Sequence, residues 1–145
     1  MTLNLMKLGV GIESVQHLLE VQSRRLKGMT TQGVAPQLKH LTRHMPRRQK
    51  ELLNGGSIYW VIKGVILVRQ KLIGFKPTKR QNGEVACAIL YEPEHTRTEP
   101  KKIRGFQGWR YLPRGKAPPD LDNSSQRENG LPVEMTQELR SLGLL

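Results

Sequence analysis

The chain has 145 residues, the usual size of one domain, and its 24 Lys and Arg against 12 Asp and Glu give a formal charge of +12. The single cysteine, Cys87, excludes an internal disulfide and any multi-cysteine zinc site. No apolar run approaches the roughly 20 residues of a membrane-spanning helix. No secretory signal is visible, so we expect a cytoplasmic protein without a membrane partner.

The first predicted elements are a strand and a helix. Apolar residues at alternate positions from Met6 to Ile12 favour a strand. Ser14 is a typical N-cap, and the apolar stripe that follows it predicts a helix ending near Lys27, with Gly28 as its stop. We therefore expect the chain to begin with a strand and helix in succession.

A short basic segment follows a polar loop at residues 28–37. The apolar spacing at 38–45 favours a helical turn slightly over a strand, and Pro46 suits the first position of a helix over 47–53. Backbone amides at the start of such a helix suit a phosphate, whereas a solvated helix end explains the basic run equally well. The cations of this segment that we assign to nucleic-acid binding are Arg43, Arg47 and Arg48.

The strongest strand patterns lie in the second half of the chain. Strands are predicted over residues 57–63, 65–75, 84–91 and 106–112. The first of these places Trp60 in the core. Asn82-Gly83 predicts a hairpin turn, and Pro93 and Pro100 bracket a predicted loop.

Strands joined by hairpins and mixed with short helices predict an α+β fold. We expect a mostly antiparallel curled sheet or a small barrel, with two or three short helices. After Pro113 the composition changes to Pro, Ser and Asn. The predicted organisation is a single α+β domain over 1–116, then a flexible linker with a short C-terminal helix over 117–145.

Two segments are distinctive as sequence: GGSIYWVIKG at 55–64 and FQGWRYL at 106–112. Together with Leu5 to Leu8 and with Arg69-Gln70, they resemble an uncharacterised, mainly alphaproteobacterial domain-of-unknown-function family of small basic proteins. The resemblance covers most of residues 3–116 and implies neither a reaction nor catalytic residues.

A second resemblance is to the barrel entry of PUA-like folds, including the ASCH and EVE groups. It rests on a Gly-Gly turn, an aromatic strand and then a strand that carries a basic residue. This resemblance is to the fold alone, and it implies a small barrel of the kind that often binds RNA or modified bases.

The positive charge is concentrated in the middle of the chain. Residues 24–116 hold 21 basic and 5 acidic residues, a net charge of +16, and all the aromatic residues lie there too. Such a region attracts polyanions through its field and through counterion release, and rings can stack on unpaired bases. Solubility is the alternative explanation of the charge, and packing is the alternative for the rings on one face of the strand at 106–112. The remaining residues assigned to nucleic-acid binding are Lys63, Arg69, Lys71, Lys101, Lys102, Arg104, Trp109, Arg110 and Tyr111.

Arg69 is predicted to share a strand face with Leu67. A charge within a buried strand needs a partner or a ligand. The packing interpretation is a face open to water or an ion pair with Glu51 or Glu92. The functional interpretation is a pocket near Arg69 in a small enzyme or reader of a nucleotide or modified base, with Glu92 or His95 as acid or base. An interaction module for an acidic protein is a further alternative.

The sequence contains little that indicates catalysis. His40 and His44 have the helical i, i+4 spacing of a metal pair but no carboxylate between them. Cys87 shares a strand face with apolar residues, which is typical of a buried small hydrophobe. We predict no catalytic residues, no metal and no cofactor, and a non-catalytic domain whose partner is RNA or another polyanion.

Overall fold

Six strands form one mixed sheet in the computed structural model, which describes residues 2–106 and 108–121. The strands are β1 (Leu3–Leu8), β2 (Leu38–Thr42), β3 (Ser57–Ile62), β4 (Val65–Lys79), β5 (Val85–Lys102) and β6 (Trp109–Pro113). The helices are α1 (Val15–Thr31) and α2 (Gln49–Leu52), with a 3₁₀ turn at Arg114–Lys116. Across the sheet the order is β2-β5-β4-β3-β1-β6.

All neighbouring strands are antiparallel except β1 and β3, which run parallel. β2 and β6 are the edges, so within the described residues the sheet stays open and does not close into a barrel. The predicted α+β class with a mostly antiparallel sheet is confirmed. Neither helix in this part of the chain is long and apolar enough to cross a membrane.

Tight turns link β3, β4 and β5. Lys63 and Gly64 have φ values of 51° and 82°, the type I′ geometry that matches the strand twist of a two-residue hairpin. In the next turn Gly83 has a φ of 87°, and the Asn82 side-chain oxygen accepts the Glu84 N–H at 3.0 Å. The hairpin predicted at Asn82-Gly83 is confirmed.

Two hydrophobic cores lie on opposite faces of the sheet. Alternate residues of β3 divide between them, so Trp60 lies in the larger core and Tyr59 in the smaller one. α1 covers the larger core, whereas Phe106 and Leu112 help to close the smaller one. The predicted burial of Trp60 and Cys87 is confirmed.

Buried amides join α1 to the sheet. The Gln22 and Gln70 side chains each donate to the other at 2.8 Å, and Trp60 Nε1 donates to Gln70 Oε1 at 2.8 Å. Because these buried polar groups hydrogen-bond one another, the bonds offset the cost of removing them from water. Gln22 thus interrupts the apolar stripe of the helix for a structural reason.

A bulge in β4 changes which face Arg69 occupies. Trp60 pairs with Val68 and the next residue of β3 pairs with Ile66, so Leu67 is an extra residue in β4. Leu67 and Val68 therefore both contact the larger core. Strict alternation placed Leu67 and Arg69 on one face, and this prediction is wrong because the bulge intervenes.

β5 runs continuously through Pro93 and Pro100, so the predicted loop between them is wrong. Both prolines fall where the register of β5 against β4 shifts. A residue in such an irregularity need not donate an N–H to the ladder, so proline is tolerated there. Lys101 and Lys102 consequently end a strand instead of lying in a loop.

Several element ends also differ from prediction. The N-cap at Ser14 is confirmed, since its hydroxyl accepts the His17 N–H at 3.1 Å. However, α1 continues past Gly28, and β1 ends before the exposed Val10. The predicted turn at 38–45 is instead β2, because pairing along β5 overrides the weak helical spacing. The predicted helix at 47–53 is reduced to α2.

Residues 117–121, where the predicted linker begins, lie against β5. The Glu99 N–H donates to the Pro119 carbonyl at 2.9 Å, and the Leu121 N–H donates to the Arg97 carbonyl at 2.9 Å. The rest of the predicted linker and its helix at 133–142 lie outside the described residues.

Candidate nucleic-acid interface

A cleft with a positively charged lining opens beside β6, and we call it the basic cleft. Its volume is about 890 Å³, and it is bordered by the end of β1, the segment after β2, the end of β4, and β6. No Asp or Glu of the described residues lines it. Its lysine, arginine, tryptophan and tyrosine side chains are Lys7, Arg43, Arg47, Arg80, Trp109 and Tyr111. The fold thus brings together four residues predicted from sequence and adds two that were missed, Lys7 and Arg80.

The two rings hold the segment that carries the arginines. Trp109 Nε1 donates to the His44 carbonyl at 2.9 Å. The Tyr111 hydroxyl accepts the backbone N–H groups of Arg47 at 3.1 Å and Arg48 at 3.3 Å. The rings also meet edge to face, with centroids 4.9 Å apart. Through these bonds the two half-buried rings fix the backbone of the segment that forms one wall of the cleft.

Lys7 is the recessed cation of the basic cleft, with 9% of its surface exposed. Its neighbours across the sheet are Trp60 on β3 and Trp109 on β6. Burial lowers the pKa of the ammonium group. No described carboxylate pairs with it.

Sequence reasoning missed Lys7 and Arg80 for different reasons. The predicted strand began at Met6, which placed Lys7 on a polar face. The real strand begins at Leu3, and the alternation of Leu3, Leu5 and Lys7 is the signal for an inward-facing lysine. Arg80 reaches the cleft because β2, β5 and β4 lie side by side in register. No local pattern reveals that proximity.

His40 lies next to the basic cleft, edge-on to Trp60 with ring centroids 5.7 Å apart. Burial, reinforced by the positive charges of Lys7, Arg25 and Arg80, lowers the pKa of His40 from 6.5 to about 4. The imidazole is therefore neutral at physiological pH. It borders a second, more apolar cavity of about 640 Å³ beneath the end of α1.

Arg69 lies in a different site, on the face of the sheet that carries the smaller core. Its guanidinium donates to both Asp120 carboxylate oxygens at 2.8 Å and to the Ser57 hydroxyl at 2.9 Å. The same pairing lowers the pKa of Asp120. The predicted partner, Glu51 or Glu92, is wrong because the bulge turns Arg69 toward the chain after β6.

We call the space around this pair the Arg69 cavity. It has a volume of about 520 Å³ and is lined by polar groups, among them Asn4, Tyr59 and Arg114. Tyr59 therefore lines a pocket. The cavity contains its own anion, the Asp120 carboxylate, whereas no Asp or Glu of the described residues lines the basic cleft.

Two other predicted cations are paired locally. Lys63, in the β3–β4 turn, forms an ion pair with Glu13 at 2.6 Å. Arg48 forms an ion pair with Glu51 at 2.5 Å, and its guanidinium also lies 5.6 Å from the Tyr111 ring centroid.

The remaining predicted residues lie away from the basic cleft. The Arg110 guanidinium stacks on Phe106, 5.4 Å from the ring centroid, on the side of the smaller core. The Lys101 ammonium donates to the Lys116 carbonyl. The exposed residues of this group are Lys71, Lys102 and Arg104. The predicted set is therefore divided between the two faces of the sheet.

Comparison with protein families matches residues 5–145 to the family described as Protein of unknown function (DUF1489). The chain belongs to this family. The expectation of an uncharacterised domain-of-unknown-function family is confirmed, and the DUF1489 match includes the region beyond residue 116. No curated protein and no solved structure matches the chain.

Proposed function

We propose that this DUF1489 protein is a non-catalytic RNA- or nucleic-acid-binding domain whose binding site is the basic cleft. The observation that carries the proposal is the lining, in which Lys7, Arg43, Arg47 and Arg80 face one cleft without a described carboxylate. Each phosphate that such cations neutralise releases counterions, and this release favours binding.

Several cations outside the cleft are already paired with carboxylates, and this supports the choice of the basic cleft as the binding site. Lys63, Arg48 and Arg69 each have a carboxylate partner, so a ligand at those residues must displace an existing ion pair. The four cations of the basic cleft have no such partner among the described residues. A polyanion can therefore bind in the cleft without displacing an ion pair, and it meets four cations there in one concave site.

The geometry favours recognition of phosphates over recognition of bases. The polar atoms of Trp109 and Tyr111 are already used to hold the segment at 44–48. We therefore expect binding that depends strongly on salt concentration and weakly on RNA sequence.

Kinship with PUA-like domains and an alphaproteobacterial origin stay predictions.

A salt titration with single-stranded RNA tests the proposal. Arg43 and Arg47 are replaced together by alanine, and a matched control replaces the exposed Lys102 and Arg104, which removes the same charge away from the cleft. The slope of log affinity against log salt is negative. In R43A/R47A it should become shallower by about 1.4, which is about 0.7 for each lost phosphate contact. The control should keep both its affinity and its slope.

Three results would contradict the proposal. A larger loss of RNA affinity in K102A/R104A than in R43A/R47A would show that RNA binds away from the cleft. Binding of an acidic polypeptide without any binding of RNA would favour the protein-interaction alternative. An affinity that is insensitive to salt and is abolished by Arg69→Ala would favour a small-ligand pocket at the Arg69 cavity.

A further inference from the structure

The cations of the basic cleft lie at two depths. Arg43, Arg47 and Arg80 are exposed, whereas Lys7 is 9% exposed and sits among the inward-facing residues of β1. Two tryptophans flank it in the neighbouring strands, Trp60 and Trp109. The cleft thus has a rim of arginines and a single recessed ammonium.

A buried ammonium is costly unless an anion or several acceptors accompany it. Other cations that lie against the fold have partners, as Arg69 does in Asp120 and Ser57. For Lys7, residues 2–106 and 108–121 provide neither an ion pair nor a side-chain hydrogen bond. An anion entering the cleft would supply the missing partner.

The depth of Lys7 selects the kind of anion. A strand lying across the rim brings its internal phosphodiesters to Arg43 and Arg47 but keeps them in the backbone, away from the recess. A terminal phosphate projects from the chain and can enter it. A phosphomonoester also carries about −1.5 to −2 charges at neutral pH, more than an internal phosphodiester, and suits several converging cations.

We propose that the basic cleft binds a phosphomonoester, with Lys7 contacting the phosphate and the rim arginines contacting the rest of the ligand. This inference rests on the proposed function and specifies its ligand class as a phosphorylated nucleic-acid end or a nucleoside monophosphate. The two sources share the same phosphate chemistry.

The test measures binding of short single-stranded RNAs of one sequence that end in a 5′-hydroxyl, a 5′-phosphate or a 3′-phosphate, and of a nucleoside monophosphate. The proteins are wild type, Lys7→Met and Lys27→Met, the last an exposed lysine on α1 that controls for loss of one charge. Thermal melting checks the fold. Lys7→Met should melt no earlier than wild type, because methionine fills the largely buried space of the side chain and removes a charge that burial disfavours.

Wild type should bind one phosphorylated end at least about tenfold more tightly than the hydroxyl end, a difference of about 1.4 kcal/mol. Lys7→Met should lose this preference, because its affinity for the phosphorylated end falls by far more than its affinity for the hydroxyl RNA, while Lys27→Met keeps the preference. Equal binding of the phosphorylated and hydroxyl ends by wild type would overturn the phosphomonoester proposal even if Lys7→Met fails to fold.

The two proposals fail in different ways. Equal, salt-dependent binding of all three RNAs would overturn the role of Lys7 and leave RNA binding in place. Binding of the monophosphate alone, lost in Lys7→Met, would support the phosphomonoester site and overturn RNA binding. Binding of none of the probes would overturn both.

Discussion

The basic cleft and the Arg69 cavity both present arginine in a concave site, but they differ in what faces the guanidinium. In the Arg69 cavity, the guanidinium of Arg69 donates two hydrogen bonds to the Asp120 carboxylate and a third to the Ser57 hydroxyl. In the basic cleft, Arg43 and Arg47 have no described carboxylate partner. A cation in a pocket is available to a ligand only where the fold has not already supplied a carboxylate.

The origin of Asp120 sharpens this contrast. It belongs to the segment that continues from β6 and pairs with Thr98 of β5. Its position beside Arg69 therefore depends on the pairing of this segment with β5. The cleft cations come from β1, the residue that follows β4 and the segment after β2, and no carboxylate of the described residues forms an ion pair with them. The difference in availability is thus set by topology.

The largest effect on stability is expected at Gly56, beside the Arg69 cavity. A Cβ there would collide with the carbonyl oxygens of Leu3 and Leu52, both of them backbone atoms that cannot move freely. Gly56→Ala should destabilise the fold by about 4 kcal/mol or more, as measured by chemical denaturation. Gly28→Ala is the control, because nothing lies within 4 Å of its Cβ position, and the substitution should stabilise α1 by about 0.5–1 kcal/mol. Equal effects would contradict the packing described around Gly56.

A smaller effect on stability is expected from the protonation of His40. Its pKa is lowered by burial and by nearby cations, of which Lys7 and Arg80 line the basic cleft. Its pKa is about 4, below the ordinary 6.5, so the unfolded chain binds more protons between these values. Stability should therefore be fully present above pH 6.5 and fall as the pH approaches 4, by about 3 kcal/mol from this group.

Denaturant unfolding from pH 7 to pH 4 measures this dependence in wild type, His40→Gln and a control variant, His44→Gln. The part of the pH dependence of the unfolding free energy that His40 contributes should vanish in His40→Gln and remain in His44→Gln. Lys7→Met should raise the pKa of His40, since it removes one of the nearby positive charges. An unchanged pH dependence in His40→Gln would contradict the buried, neutral imidazole.

The smallest effect is expected from the pair in the Arg69 cavity. The Arg69 and Asp120 side chains are 28% and 44% exposed, so water screens their attraction. Arg69→Ala should cost about 1–2 kcal/mol, with loss of the Ser57 contact included. In a double-mutant cycle with Asp120→Asn, the two substitutions should be less than additive. Strict additivity would show that the pair does not interact in solution.

The local chemistry of several turns and caps was predictable from sequence. Ser14 as an N-cap, Asn82-Gly83 as a hairpin and Trp60 as a core residue each depend on a few adjacent residues, and each is confirmed. Alternation also correctly separated Trp109 and Tyr111 from the opposite face of β6. These features require no knowledge of distant contacts.

The features that define the two sites depend on long-range pairing. The extra residue Leu67 in β4 is visible only against β3, and it redirects Arg69. The pairing of Arg69 with Asp120 joins residues 51 positions apart. Arg80 and Arg43 come together only through the register of β2, β5 and β4. The sequence therefore revealed the charge but not the pairing that decides which cations are available.

An NMR titration with single-stranded RNA tests the central contrast most directly, because each region has its own side-chain N–H reporter. Trp109 Nε1–H reports on the basic cleft, Arg69 Nε–H on the Arg69 cavity, and Trp60 Nε1–H on the larger core. We predict that the Trp109 signal shifts with added RNA in a saturable, salt-dependent way while the other two stay in place. A saturable shift at Arg69 with Trp109 unchanged would contradict the account.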